Sequence, residues 1–434
     1  MIEAAVTMFV VLFAFLAGGL WIGWTLALTG LLLLAIFRDI PLDKLLAQYT
    51  WNILTTQELL ALPLFILMGE ILFRTRLSQS LFRGLSPWAA LLPGRLLHVN
   101  VIGCTIFAAI SGSSAATTQV VGRISVGELT RRGYSKEVAV GSLAGAGTLG
   151  FLIPPSNIMI IYGVLGDVSI AKLFTAGFIP GFLLAASFMI WIMLHATLKP
   201  GIVPADQRKT RFASKAEYLS SLRELGPAVF LILCVLGSIY GGIATPSEAA
   251  AVGVFGALLV AGYQRELSAR ALQAIAIGAV QTCAMIALIV LGASILGSAT
   301  AFLGIPATVA EFVRSLGLQP LLLIAALIVF YIVLGCFLDG FSMIVMTLPI
   351  VLPIVKAAGF DPLWFGVFLV LVVEMSQITP PVGFNLFVIQ GLTGDGLGHL
   401  ARVTLPYLLI MVCFTMMLAV FPDIALWLPR YLSS

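Results

Sequence analysis

Charge is what this chain has least of. Only 10% of its 434 residues are Asp, Glu, Lys or Arg, against about 25% in a soluble domain. That is too little to solvate the surface of a globular fold. Histidine is nearly absent: His98, His195 and His399 each stand near the end of an apolar run, without partners at ligand spacing, and read as interface residues. The five cysteines (Cys104, Cys234, Cys283, Cys336, Cys413) lie scattered in apolar segments, with no CxxC pair or Cys/His cluster. Neither a metal site nor a disulfide frame is suggested, and small packing residues are expected instead. No Ser/His/Asp set, HExxH, Walker A or nucleotide-binding glycine loop is present. With no catalytic set and no nucleotide-binding motif, an enzyme is not expected. The formal charge of +4 reflects loop asymmetry and not nucleic-acid binding.

Apolar sequence is abundant. Hydrophobic residues make up 60% of the chain, and the mean hydropathy is +1.11. Runs such as Ala4–Phe37, Leu59–Phe73, Phe178–Leu198 and Leu321–Leu338 recur from end to end; about 20 apolar residues cross a hydrocarbon core of about 30 Å. Helices satisfy their own backbone groups in lipid and open sheets do not, so the reading is an all-α polytopic membrane protein. The start, Met-Ile-Glu, has no basic n-region and no small-residue cleavage site follows its apolar run. The first helix is therefore expected to stay in the mature protein.

Two interruptions stand in corresponding places: Gly150…Pro154-Pro155-Ser156-Asn157 and Glu374…Thr379-Pro380-Pro381-Val382-Gly383. An offset of 226 carries Pro154 onto Pro380, Gly133-Tyr134 onto Gly359-Phe360, and Pro180 onto Pro406. The chain reads as two copies of a half. Basic residues cluster at Arg74, Arg76, Arg83, Arg95; at Arg123, Arg131, Arg132, Lys136; and at Lys199, Arg208, Lys209, Arg211, Lys215, Arg223. By the positive-inside rule these clusters face the cytoplasm. The expected first repeat is 1–198, with a re-entrant hairpin at 97–121 and a broken helix at 137–165. A cytoplasmic linker follows at 199–225. The second repeat, 226–434, carries a hairpin at 321–355 and a broken helix at 363–389. Five crossings per half invert the second copy. Six basic residues then fall outside (Arg38, Lys44, Lys172, Arg314, Lys356, Arg430), leaving 17 of the 23 inside. The mixed segment 38–58 is expected along the interface.

The first hairpin tip, Ser111-Gly112-Ser113-Ser114, offers hydroxyls around a glycine. Together with carbonyls freed by Pro154-Pro155, they would make a hard-oxygen cage suited to Na⁺. The plainer alternatives are hydroxyls acting as helix-packing glue and a simple proline kink. The offset places Asp339 at the second tip. It reads as an oxygen ligand, a proton carrier, or an interfacial residue facing water. Thr379, Pro380 and Pro381 are its broken-helix partners, with Gly383 and Asn385 close by. Glu374, one turn earlier, would orient the break or cap the half-helix. Glu70 reads as structural, an i, i+4 partner of Arg74.

On the run Phe107…Ser111-Gly-Ser-Ser114, Arg132-Gly133-Tyr134, Gly150…Ile153-Pro-Pro-Ser156, Asp339 and Ile378-Thr-Pro-Pro-Val-Gly383, the chain resembles the DctM-type large membrane subunit of TRAP (tripartite ATP-independent periplasmic) transporters. The resemblance covers essentially the whole chain. It implies an elevator-type fold of two inverted-topology repeats in the bacterial inner membrane, coupled to Na⁺. It also implies a small four-helix membrane subunit (DctQ-type), a periplasmic substrate-binding protein (DctP-type), and an organic-acid substrate: a C4-dicarboxylate, another carboxylate or a sialic acid. A stand-alone Na⁺- or H⁺-coupled dicarboxylate or anion symporter of the same superfamily is the alternative. Carried over, the first Na⁺ site is Ser111, Ser113, Gly150, Ile153 and Pro155. By internal symmetry the second is Asp339, Thr379 and Pro381, with Gly335 or Gly340 as a possible backbone ligand. Ser114, Asn157, Gly340, Gly383 and Asn385 are the candidates for substrate contact.

Overall fold

The computed structural model describes residues 2–38, 42–207, 213–315, 319–381 and 383–433. Arg208, Lys209, Arg211 and Val382 lie outside the described residues, as do the side chains of Lys44 and Arg314. The described residues form α-helices and short 3-10 turns, with no strand. In the first half the helices are α1 (Ile2–Ala17), α2 (Ile22–Phe37), α3 (Leu42–Leu54), α4 (Ala61–Phe73), α5 (Leu77–Ala89), α6 (His98–Ser111), α7 (Ser114–Arg131), α8 (Lys136–Gly147), α9 (Leu149–Leu152), α10 (Asn157–Gly166) and α11 (Ile170–Leu198). The second half has α12 (Lys215–Tyr240), α13 (Pro246–Tyr263), α14 (Ala269–Phe302), α15 (Ile305–Ser315), α16 (Pro320–Leu334), α17 (Gly340–Ala357), α18 (Pro362–Gln377), α19 (Phe384–Thr393), α20 (Leu397–Val420) and α21 (Asp423–Ser433). Seven helices among these residues are long and apolar enough to cross a membrane, or eight if α3 and α4, bent by 53°, make one span.

Shifted by 226 positions, α2 falls inside α13, α4 inside α14, α5 on α15, and α11 on α20. Contacts repeat in the same way. Helix α2 packs on α14 and α4 on α13; α7 packs on α19 and α17 on α10; α8 packs on α20 and α18 on α11. Each contact has its counterpart when the halves are exchanged. The landmark Gly133-Tyr134 has a local cause. Gly133 has φ +82°, the Gly133 N–H donates to Thr130 O at 3.0 Å, and the Tyr134 N–H to Leu129 O at 3.1 Å. This closes α7 in a Schellman turn, whose left-handed residue glycine adopts without penalty. Gly359 (φ +86°) closes α17 in the same way, through Phe360 N–H to Val355 O at 3.1 Å.

Helix α7 runs to Arg131, ten residues past the expected hairpin end at 121, because this cap stands at 133. The expected linker 199–225 is helical from Lys215, where Ser214 and Glu217 form a capping box that satisfies two orphan donors. Helix α5 occupies what read as a basic loop. Leu77, Leu81, Leu85 and Ala89 bury one face at i, i+4 spacing, while Gln79 and Arg83 stay exposed. His98 is fully buried and not interfacial, because the preceding turn folds over the start of α6 and brings Pro93 O to 2.6 Å from Nε2. Glu70 pairs with Arg74 at 3.7 Å, as its spacing suggests.

Small residues let α2 and α14 approach closely. A Cβ on Gly292 would stand 2.3 Å from Gly23 O, and one on Gly30 2.9 Å from Leu296 Cα. Gly292→Leu is therefore expected to cost about 1–3 kcal/mol of stability through forced separation of the backbones. Thermal unfolding of the purified protein checks this against Gly237→Ala, where no atom of another described element lies within 4 Å. Equal melting of the two variants would remove the close contact from the account.

Candidate functional site

The first hairpin reverses direction in two residues. Gly112 takes φ +59°, and Ser113 caps α7 by accepting the Ala116 N–H at 3.4 Å. Three hydroxyls gather there. Ser111 Oγ lies 3.0 Å from Thr117 Oγ1, and Thr117 donates to Ser113 O at 2.7 Å. The tip closes on the first helix break. Asn157 N–H donates to Gly112 O at 3.3 Å, and a Cβ on Gly112 would stand 2.7 Å from Pro155 O. A Cβ on Gly150 would stand 2.4 Å from Ser114 Cα and 2.6 Å from Ser113 O. Ser111, Ser113, Gly150 and Pro155 are thus brought to one place. Ile153 ends α9 in extended backbone, with its side chain against Gly181 of α11.

A second polar cluster joins this tip to the other half. Glu374 on α18 is fully buried; its Oε2 accepts the Ser114 hydroxyl at 2.8 Å and its Oε1 accepts the Phe151 N–H at 2.9 Å. Asn385 Nδ2 donates to Ser114 Oγ at 2.6 Å, and Ser114 Oγ also lies 3.0 Å from Gly147 O. Phe151 stands in the first turn of α9, where N–H groups lack intrahelical acceptors. Glu374 therefore serves the break in the opposite half, 223 positions away, and not its own. Proximity along the chain pointed to Thr379; only α18 packing on α9 shows the true partner.

The Oδ1 atoms of Asn157 and Asn385 are buried and lack a hydrogen-bond partner among the described residues. Each belongs to the first turn of a half-helix, α10 or α19. A buried acceptor left unpaired costs about 1–3 kcal/mol. These two amide oxygens extend the set of hydroxyl and carbonyl oxygens around the tip. The set is all oxygen, with the Glu374 carboxyl beside it, the donor chemistry of a hard cation.

The second tip is built differently. Five residues, 335–339, separate α16 from α17, against two at the first tip. Gly335 meets the second break, since its Cβ would stand 2.1 Å from Ser376 Cβ, and the Cys336 thiol lies 3.5 Å from Pro380 O. Asp339 caps α17, accepting the Phe341 N–H at 3.0 Å and the Ser342 hydroxyl. Thr379 donates to Met375 O at 2.7 Å, and Gly383 turns the chain at φ +45°. Gly340 sits against Val373 and Phe151. Both Pro154-Pro155 and Pro380-Pro381 are cis. Beyond the breaks, Lys136 at the start of α8 pairs with Asp395 after α19 at 2.8 Å, and its hydrogen bond holds that carboxyl below the usual range.

Comparison with known proteins places this architecture. Residues 9–424 match the family model described as the tripartite ATP-independent periplasmic transporter, DctM component. The chain is 34% identical over 376 residues to the C4-dicarboxylate TRAP transporter large permease protein DctM of Pseudomonas aeruginosa, covering 86% of this chain and 87% of that one. It is 31% identical over 414 residues to the isethionate TRAP transporter permease protein DctMQ of Oleidesulfovibrio alaskensis, covering 95% of this chain and 64% of that longer relative. A solved structure of the Alcanivorax borkumensis YdaH transporter superposes with a TM-score of 0.63 at 15% identity, over 89% of this chain and 88% of that one, a likeness of fold.

Proposed function

Because this chain belongs to the DctM-component family of tripartite ATP-independent periplasmic transporters, we propose that it couples organic-acid uptake to Na⁺ through the hairpin tips and helix breaks described above. Family members are inner-membrane transporter permeases and not enzymes, and this chain is one of them. The observation that carries the Na⁺ reading is the closure of Ser111-Gly112-Ser113 on Gly150 and Pro155. That closure gathers hydroxyl and carbonyl oxygens, and nothing cationic, at one point. Ser111, Ser113, Gly150, Ile153 and Pro155 hold the first ion. Asp339, Thr379 and Pro381 hold the second, joined by the backbone at Gly335, which the packing against Ser376 favours.

The substrate is an organic acid: a C4-dicarboxylate, another carboxylate or a sialic acid. The two relatives compared are named for a C4-dicarboxylate and for isethionate, both small anions. Helix N-termini at the tips and breaks (α7, α10, α17, α19) supply the positive dipole ends that favour an anionic group. The halves form inverted repeats, divided at 199–225. The reciprocal contacts of α2 with α14 and α4 with α13 support a scaffold against which the hairpins and breaks move as an elevator. A small four-helix subunit and a periplasmic binding protein complete the system; one relative carries the fused name DctMQ.

Reconstituted membrane subunits, given candidate acids and their binding proteins, test this. Ser113→Ala and Asp339→Ala are expected to insert normally and to raise the Na⁺ half-saturation at least about tenfold, the effect of losing roughly 1.4 kcal/mol at a ligand. Normal Na⁺ dependence in both variants would overturn the site. Full uptake without any binding protein would favour the stand-alone symporter.

A further inference from the structure

Away from the transport site, α11 and α20 enclose two cavities that share Trp191 and Pro406. The longer, about 520 Å³, runs down the spanning helices. Its walls are a stripe at i, i+4 spacing on α11 (Ser187, Trp191) and one face of α20 (Leu405, Leu409, Cys413, Met417). Leu405 and Leu409 are each about half exposed. From Arg402 to Met417, α20 rises about 22 Å. That exceeds the depth of a single leaflet, half of a core of about 30 Å. The groove is therefore long enough for an acyl chain.

The second cavity, about 350 Å³, sits at the polar end, where α11 is finishing and α20 beginning. Glu137, His195, His399, Arg402 and Tyr407 line it. Arg402 brings a positive charge and Glu137 a negative one, and neither forms a salt bridge among the described residues. The neighbouring Asp395 is already taken by Lys136. Tyr407 is 2% exposed, and its hydroxyl is buried with no hydrogen-bond partner among the described residues. Its ring lies along α8. The Cβ and Cγ stand beside Gly145 and Cε2 beside Gly141, so the hydroxyl is directed toward Glu137 and the cavity. Trp191 marks the junction, where amphipathic rings favour the headgroup level.

We propose that this composite groove binds one phosphatidylethanolamine molecule. One acyl chain lies between α11 and α20. The phosphate meets Arg402, His399 and the Tyr407 hydroxyl, and the ammonium meets Glu137. A zwitterionic headgroup matches paired opposite charges. Phosphatidylglycerol lacks the cation for Glu137, and phosphatidylcholine carries a cation that cannot donate a hydrogen bond.

The intact membrane complex, stripped of lipid and titrated separately with phosphatidylethanolamine, phosphatidylcholine and phosphatidylglycerol, tests this by native mass spectrometry. Phosphatidylethanolamine is expected to be retained most strongly. Arg402→Glu weakens it at least about tenfold, and Tyr407→Phe, which keeps the ring, about threefold. Glu137→Gln erases the preference over phosphatidylglycerol. Phosphatidylethanolamine also slows maleimide labelling of Cys413, which is exposed in the groove. Equal retention of the three lipids, unchanged binding by Arg402→Glu, or Cys413 labelling indifferent to lipid overturns the proposal. Exclusion of lipid from the groove by a helix of the small subunit overturns it as well.

Discussion

Glu374→Met is expected to abolish coupled uptake, while Glu374→Gln keeps it near the wild-type rate. Methionine has the length of glutamate but offers nothing to the Phe151 N–H or the Ser114 hydroxyl, which Glu374 now accepts at 2.9 and 2.8 Å. The Ser114 proton can turn to Gly147 O, but the buried Phe151 N–H is left unpaired, at a cost of about 1–3 kcal/mol. The loss falls where the first hairpin tip, the first break and α18 of the other half meet. Glutamine restores both bonds: its carbonyl accepts from Phe151, and its amide donates to Ser114, whose own proton then serves Gly147 O at 3.0 Å. Uptake against Na⁺ concentration, beside a thermal melt of each variant, separates a positioning effect from unfolding. Wild-type coupling in Glu374→Met would show that the bridge between the halves is dispensable. A folded but inactive Glu374→Gln would show that hydrogen bonding is not what Glu374 contributes.

Gly150→Ala should produce a comparable loss by a steric route. The added methyl would meet Ser114 Cα at 2.4 Å and Ser113 O and Ser114 N at 2.6 Å, all backbone atoms that cannot rotate away. Overpacking of this kind costs about 1–3 kcal/mol, occasionally more. Here it pushes the tip off the break and spreads the oxygen set. Gly127→Ala on α7 is the control. No atom of another described element lies within 4 Å of its position, and helix propensity favours alanine by about 1 kcal/mol. Normal Na⁺-dependent uptake by Gly150→Ala would mean that close approach of tip and break is not required.

Much of the architecture was legible because hydropathy and proline act locally. Apolar runs marked the spans, and each Pro-Pro pair marked a break whatever surrounded it. Gly133 and Gly359 surfaced as landmarks for a local reason too, since each is the left-handed cap that ends a hairpin arm. Helix α5 was missed because its charged face, with Arg83, masked an apolar stripe at helical spacing. At the second tip the offset carried the cap, since Asp339 caps α17 as Ser113 caps α7, but not the turn length: α16 ends at Leu334, and Gly335 and Cys336 stand against the break.

The amino-acid sequence by itself determined that this chain crosses a membrane as helices, that it has two related halves, and where each half is broken. These follow from transfer free energies and backbone restrictions that residues carry with them. Tertiary structure alone decided how the buried polar groups stand: Glu374 with Phe151 and Ser114, Asn385 with Ser114, and the Tyr407 hydroxyl buried without a partner among the described residues. A buried polar group is satisfied by whatever packing brings within about 3 Å. Here packing brought together residues more than 200 positions apart.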